Sequence, residues 1–116
     1  MRKHVLSAVL VSVVACAAIP AVAGAHASVT SRTPGPNSTS HRVTGVQLRW
    51  NEAVVTGKLS VYRGVRKLGG GRLARNKASI SMGFPTALAK GKYIVRWSAV
   101  ADDGHRESGS WSFTVR

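Results

Sequence analysis

Thiols are nearly absent from this chain: its 116 residues hold one cysteine, Cys16. Acids are scarce as well, 4 Asp and Glu against 17 Lys and Arg, for a formal charge of +13. The length allows one domain and excludes a multidomain enzyme. The 12 Gly and 4 Pro follow no repeat period, which excludes collagen-like and low-complexity chains. No apolar run long enough to cross a bilayer occurs beyond the start of the chain, so a transmembrane bundle is excluded. No apolar stripe of helical period stands out either. At 44% hydrophobic residues the chain is too apolar for a disordered basic tail.

The first 25 residues have the pattern of a signal peptide. Arg2 and Lys3 precede an apolar run from Val5 to Ala25 that is broken by Pro20 and ends in Ala23-Gly24-Ala25. A basic start, an apolar middle and a small-x-small end direct a chain to secretion and removal of the leader. An uncleaved anchor has the same length, but Pro20 and the small residues favour cleavage. Val13-Val14-Ala15-Cys16 is a loose lipobox, weakened by the missing leading Leu and by the apolar residues that follow. Cleavage after Ala25 leaves one domain, 26–116, whose first residue is His26 and which contains no cysteine. It removes Arg2 and Lys3 from the 17 Lys and Arg, leaving 15 against 4 acids, about +11. A monomer without a disulfide must then be held by its core alone.

What the chain does have is alternation. Val46, Leu48 and Trp50 alternate with Gln47, Arg49 and Asn51. Leu59 and Val61 flank Ser60. Ala78, Ile80, Met82 and Phe84 alternate with Ser79, Ser81 and Gly83. The same period runs through Tyr93–Val100 and through Ser110–Val115. Each run offers one apolar and one polar face, as half-buried antiparallel strands do. A further strand is expected over 27–32. Turn residues separate the runs: Thr33-Pro34-Gly35-Pro36-Asn37, Gly69-Gly70-Gly71, Lys90-Gly91 and Asp103-Gly104. These signals predict an all-β fold, an immunoglobulin-like antiparallel β-sandwich of Greek-key type with about seven strands. Trp50, Trp97 and Trp111 are expected to fill its core.

Catalytic equipment is sparse. Beyond residue 25 there are three histidines, His26, His41 and His105, and four acids, Glu52, Asp102, Asp103 and Glu107. Gly69-Gly70-Gly71 lacks the strand-to-helix setting of a phosphate loop, and no serine stands in a nucleophile elbow. The acids are unevenly placed: three of the four fall in Asp102-Asp103-Gly104-His105-Arg106-Glu107. A solvated Asp-Gly hairpin turn accounts for part of this. Asp103 and His105 lie two apart, so an extended backbone would direct both to one side. A leading histidine adds a chelate of its free amine and its imidazole, which titrate at roughly 8 and 6.5 when unperturbed, so both release protons to a metal near neutrality. His26, Asp103 and His105 together would supply three nitrogens and one oxygen. That set suits Cu(II), although Zn(II) accepts the same donors.

These residues resemble the CopC family of copper resistance proteins. His26-Ala27, Ser31, Pro34 and Val46-x-Leu48-x-Trp50-x-Glu52-x-Val54 look like its opening half. Gly91-x-Tyr93-x-Val95-x-Trp97, Ala101-x-Asp103-Gly104-His105 and Ser108-Gly109-Ser110-x-Ser112-Phe113-Thr114-Val115 look like its ending. The resemblance implies a periplasmic or extracellular protein that carries or buffers Cu(II) without catalytic turnover. It implies His26, Asp103 and His105 as ligands and Glu52 as a residue beside the metal. Asp102 stands where the family usually has Ala and is not expected to ligate. Met82 alone makes a Cu(I) site of the Met-rich kind doubtful. A membrane copper permease of the CopD type is a partner implied by the family, with no residue here that identifies it. Copper-dependent polysaccharide oxidases share only the leading histidine and need a second imidazole and a broad substrate face. The contrasting reading is a metal-free envelope module whose basic loops, between Arg63 and Lys77, bind anionic polymers. Nucleic acid is not an expected partner, because no aromatic-plus-basic strand motif is present. His41 is expected to face solvent.

Overall fold

A computed structural model describes residues 27–116. The expected leader, 1–25, and His26 lie outside the described residues. Nine strands form in order: β1 (Val29–Thr33), β2 (Ser38–Ser40), β3 (Gly45–Trp50), β4 (Thr56–Arg63), β5 (Arg66–Gly70), β6 (Arg72–Leu73), β7 (Ser79–Gly83), β8 (Gly91–Val100) and β9 (Arg106–Val115). They make a four-stranded sheet, β1-β3-β7-β6, and a five-stranded sheet, β2-β9-β8-β4-β5. The chain passes from one sheet to the other between β1 and β2, β2 and β3, β3 and β4, β5 and β6, and β7 and β8. Hairpins within a sheet join the remaining neighbours. The all-β sandwich is thus the fold the alternation predicts.

Three strands lie beyond the expected count of about seven, or change its character. Residues 38–40 are Ser-Thr-Ser and carry no apolar pattern, yet they pair parallel to β9, Ser38 to Phe113 and Ser40 to Val115. That pairing makes the five-stranded sheet mixed rather than purely antiparallel. Gly69-Gly70-Gly71, expected as a break, instead contributes to β5, whose Gly69 and Gly70 pair with Val61 and Ser60. The turn that makes this hairpin lies earlier, at Gly64. Strand β6, two residues long, is held by pairing of Arg72 and Leu73 to β7.

The core is the alternation made physical. Leu48, Val61, Ile80, Val95, Tyr93 and Phe113 are buried between the sheets, and no polar or charged residue is buried with them among the described residues. Each large apolar side chain removed from water contributes about 1.5–3 kcal/mol. All three tryptophans are buried, as expected. Trp50 and Trp97 meet edge to face at 6.1 Å, and Tyr93 stacks on Phe113 at 5.4 Å. Trp111 Nε1 donates to the Pro34 carbonyl at 2.9 Å, and the Tyr93 hydroxyl donates to the Ala89 carbonyl at 2.6 Å. Trp50 Nε1 is buried without a hydrogen-bond partner among the described residues. Gly109 pairs directly with Trp97. A β-carbon there would sit 2.8 Å from Trp97 Nε1, so only glycine lets the indole lie across the strand.

Register decides what shares an end of the sandwich. Val29 pairs with Trp50, Arg49 with Ser79, Thr56 with Val100, and Val100 with Arg106. The start of β1, the β3–β4 loop, the turn before β7 and the β8–β9 turn therefore gather at one end. His41 follows β2, whose Ser40 pairs with Val115 at the opposite end, and it is exposed.

Candidate metal centre

The β8–β9 turn is closed by its own backbone and by one side chain. Ala101 N–H donates to the His105 carbonyl at 2.9 Å, and Gly104 N–H donates to the Ala101 carbonyl at 2.9 Å. Gly104 has a φ of 85°, a conformation that side chains with a β-carbon resist. Asp103 Oδ1 accepts the His105 N–H at 2.9 Å. This is an Asx turn, in which the aspartate fixes the backbone two residues on. The expectation of an extended Asp103–His105 backbone is therefore corrected. The two residues are joined by a turn, and the aspartate itself makes the join. A carboxylate has about four lone-pair sites, so this bond does not exhaust Asp103 as a donor to a cation.

His105 lies just before β9 and shares its core-facing parity, that of Glu107, Gly109 and Trp111. Glu107 Oε1 lies 3.9 Å from His105 Nε2, with side-chain exposures of 30% and 52%. That separation exceeds hydrogen-bond length, so the contact is a charge beside an imidazole. Sequence reasoning passed over Glu107, although the alternation that orders β9 already places it on the side of His105. Arg106, between them in sequence, has the opposite parity and faces outward. Asp102 is exposed in the turn.

The β3–β4 loop links this turn to the chain's first described residues. Ser28 N–H donates to Asn51 Oδ1 at 2.7 Å, and Asn51 N–H returns a bond to the Ser28 carbonyl at 2.9 Å. Val55 N–H then donates to the Val100 carbonyl at 2.7 Å. Asn51, unremarked in the sequence, is the residue that fastens the start of the chain to this end. Ala27, just before Ser28, is buried in the core cluster. Glu52 follows Asn51 and is exposed in the same loop.

All four acids of the chain consequently stand at one end: Glu52, Asp102 and Asp103 on two neighbouring loops and Glu107 at the start of β9. Arg75 and Lys77 border them from the turn before β7, whose Lys77 carbonyl accepts Val54 N–H at 2.8 Å. Among the described residues no group of three or more His, Cys, Asp and Glu gathers closely enough to hold a metal ion. Asp103 and His105 are the nearest approach to one, with Glu107 behind the imidazole. His26 lies outside the described residues. Met82 is half-buried and packs against the core cluster from β7.

A family model for the CopC domain matches residues 29–116. CopC from Methylosinus trichosporium OB3b superposes with a TM-score of 0.68 at 21% identity, covering 78% of this chain and 93% of that one. PcoC, a methionine-rich copper resistance protein from Escherichia coli, superposes with a TM-score of 0.61 at 23% identity, covering 79% of this chain and all of that one. At these identities the likeness speaks to the fold. No curated protein matches the chain.

Proposed function

This chain belongs to the CopC family, matched over residues 29–116, and on that premise we propose that it is an exported carrier or buffer of Cu(II) in copper homeostasis and resistance. The leader 1–25 is removed, the domain begins at His26, and the ion is cargo held by the His26 amine and imidazole, an Asp103 oxygen and a His105 nitrogen. The observation that carries this reading is the convergence at one end of the sandwich. Asn51 pins Ser28 to the loop that also bonds Val100, three residues before Asp103.

The chemistry agrees. Three nitrogens and one oxygen form the tetragonal donor set that Cu(II) favours. Asp103 and His105 cannot close such a set alone, and the amine–imidazole chelate of a leading histidine supplies the two missing donors. Glu52 stands on the adjoining loop, where a carboxylate accepts from a ligand's second N–H or adds local negative charge. The total charge opposes any cation at long range. Within a Debye length of about 8 Å, the acids on the two loops outweigh it. Ligands on exposed loops suit binding and transfer of an ion held as cargo, and the reading fits the periplasmic or extracellular place of an exported protein. A membrane copper permease of the CopD type is the natural recipient.

Mass spectrometry of the exported protein under native conditions, with and without copper, tests this reading. A mass starting at His26 and one Cu(II) per chain are expected. A different first residue, or no copper retained, overturns it.

A further inference from the structure

The outward face of the five-stranded sheet carries an arrangement that copper binding does not use. Alternation turns Lys58 and Tyr62 of β4, Lys92 and Arg96 of β8, and Arg106 of β9 away from the core, because Leu59, Val61, Val95 and Trp97 point into it. Lys67 of β5 pairs with Tyr62 and shares its face. All five cations are exposed.

The register sorts them into successive levels across the strands. Arg106 lies on the level of Thr56 and Val100, and Lys58 on the level of Ser98 and Ser108. Arg96 shares a level with Ser60 and Ser110, Lys67 with Tyr62 and Ile94, and Lys92 with Thr114. Each of five consecutive levels thus holds one cation, and two residues of strand separate each level from the next, about 6.7 Å. The cations alternate among four strands about 4.8 Å apart, so those on successive levels stand roughly one Debye length or somewhat more apart and repel one another weakly. No acid has the outward parity of the face: three acids sit in loops at the end, and Glu107, of core-facing parity, lines the groove at that end beside Lys58 and Arg106. Among the described residues none of the five has an acidic partner.

We propose that this face is a binding surface for a linear anionic polysaccharide of the cell envelope, laid along the strands over β8 and β4, with cations reaching its carboxylates from β9, β8, β4 and β5. A polyanion relieves the repulsion and releases its own counterions on binding. The grooves along the face are lined by hydroxyls, Ser98 and Ser108 at one end and Ser110 and Ser112 further along, which suit sugar hydroxyls. The aromatic it holds, Tyr62, is half-buried with Arg96 over its ring at 5.4 Å, so no open ring offers the stacking platform a nucleic-acid base requires. The exposed large apolar side chains, Val55 and Val65, lie in loops and not on this face, so the face itself offers none for insertion into a bilayer. The surface lies on the strands and takes only Lys67 of β5 from the basic segment 63–77, and it is independent of the copper reading.

Binding of alginate oligosaccharides to the metal-free exported chain, with a chelator present, tests the proposal. The doubly substituted Lys58→Ser, Arg96→Ser protein should bind about tenfold more weakly or worse, with the slope of log affinity against log salt reduced by about one per cation removed. Arg72→Ser with Arg75→Ser removes the same charge from the other sheet and its turn, and should cost less than about threefold. Thermal unfolding and Cu(II) binding of both proteins should match the parent. Equal losses in the two double variants, no alginate binding at low salt, or tighter capture of single-stranded DNA or of phosphatidylglycerol vesicles would each overturn it.

Discussion

The loops at one end of the sandwich and the outer face of its larger sheet are continuous with each other, yet they divide the chain's charge. That end holds every acid of a strongly basic protein: Glu52, Asp102 and Asp103 in its loops and Glu107 at the start of β9. The face holds five cations in register and no acid. Arg106 and Glu107 are adjacent residues, and strand parity sends one to each region. The comparison teaches that net charge, +13 for the whole chain, describes neither surface. A divalent cation meets the acidic loops, and a polyanion meets the ladder of cations. One domain can therefore present opposite electrostatics a few strand residues apart, because screening confines each field to about 8 Å.

The division can be broken at several points. Replacing a ligand has the largest effect. His105→Ala or Asp103→Ala should weaken Cu(II) binding by about 100-fold or more, since partners one shell further out already account for 10–100-fold. A competition titration against a chelator measures this; thermal unfolding of the apo protein should be little changed by His105→Ala, whereas Asp103→Ala also loses the bond to the His105 N–H, about 1 kcal/mol. Next, Gly109→Ala forces a β-carbon against the Trp97 indole. Overpacking of this kind costs about 1–3 kcal/mol, read as a lowered midpoint in urea unfolding. Smaller is Asn51→Ala, which removes the side-chain bond to Ser28 N–H. About 1 kcal/mol of stability should be lost. Cu(II) affinity should fall by up to about tenfold through a looser chain start, the reach of a supporting residue. The smallest is Asp102→Asn, an exposed turn residue outside the ligand set, for which the copper titration should shift by no more than a few-fold.

Much of this architecture was legible in the residues. Five strands follow from alternation, because burying one face of a pleated strand imposes period two on its sequence, and a sixth was expected over 27–32 ahead of the Thr33–Asn37 turn. The remaining three were not legible, because each is held from outside. Ser38–Ser40 has nothing apolar to bury and owes its place to β9. Arg66–Gly70 carries glycines that signal a break and is held as the hairpin partner of β4. Arg72–Leu73 is too short to show a period. At the candidate site, Asp103 and His105 were recognisable, but their relation was misjudged. The Asp-Gly pair forms a turn, and the aspartate bonds the histidine's own N–H. Asn51 could not be singled out, since its role depends on Ser28 arriving beside it from 23 residues away. The cation levels were hidden for the same reason: the alternation shows which way Lys58 and Arg96 face, but only cross-strand register shows that they take successive rungs.

The account rests on copper being gripped where the trimmed chain begins. Two proteins decide this: one starting at His26, and one with a single glycine placed before it. Titrated with Cu(II) and followed by electron paramagnetic resonance, the first should give one tetragonal signal with several coupled nitrogens, and the second a weaker site with altered nitrogen couplings. Identical spectra and affinities in the two would contradict the account.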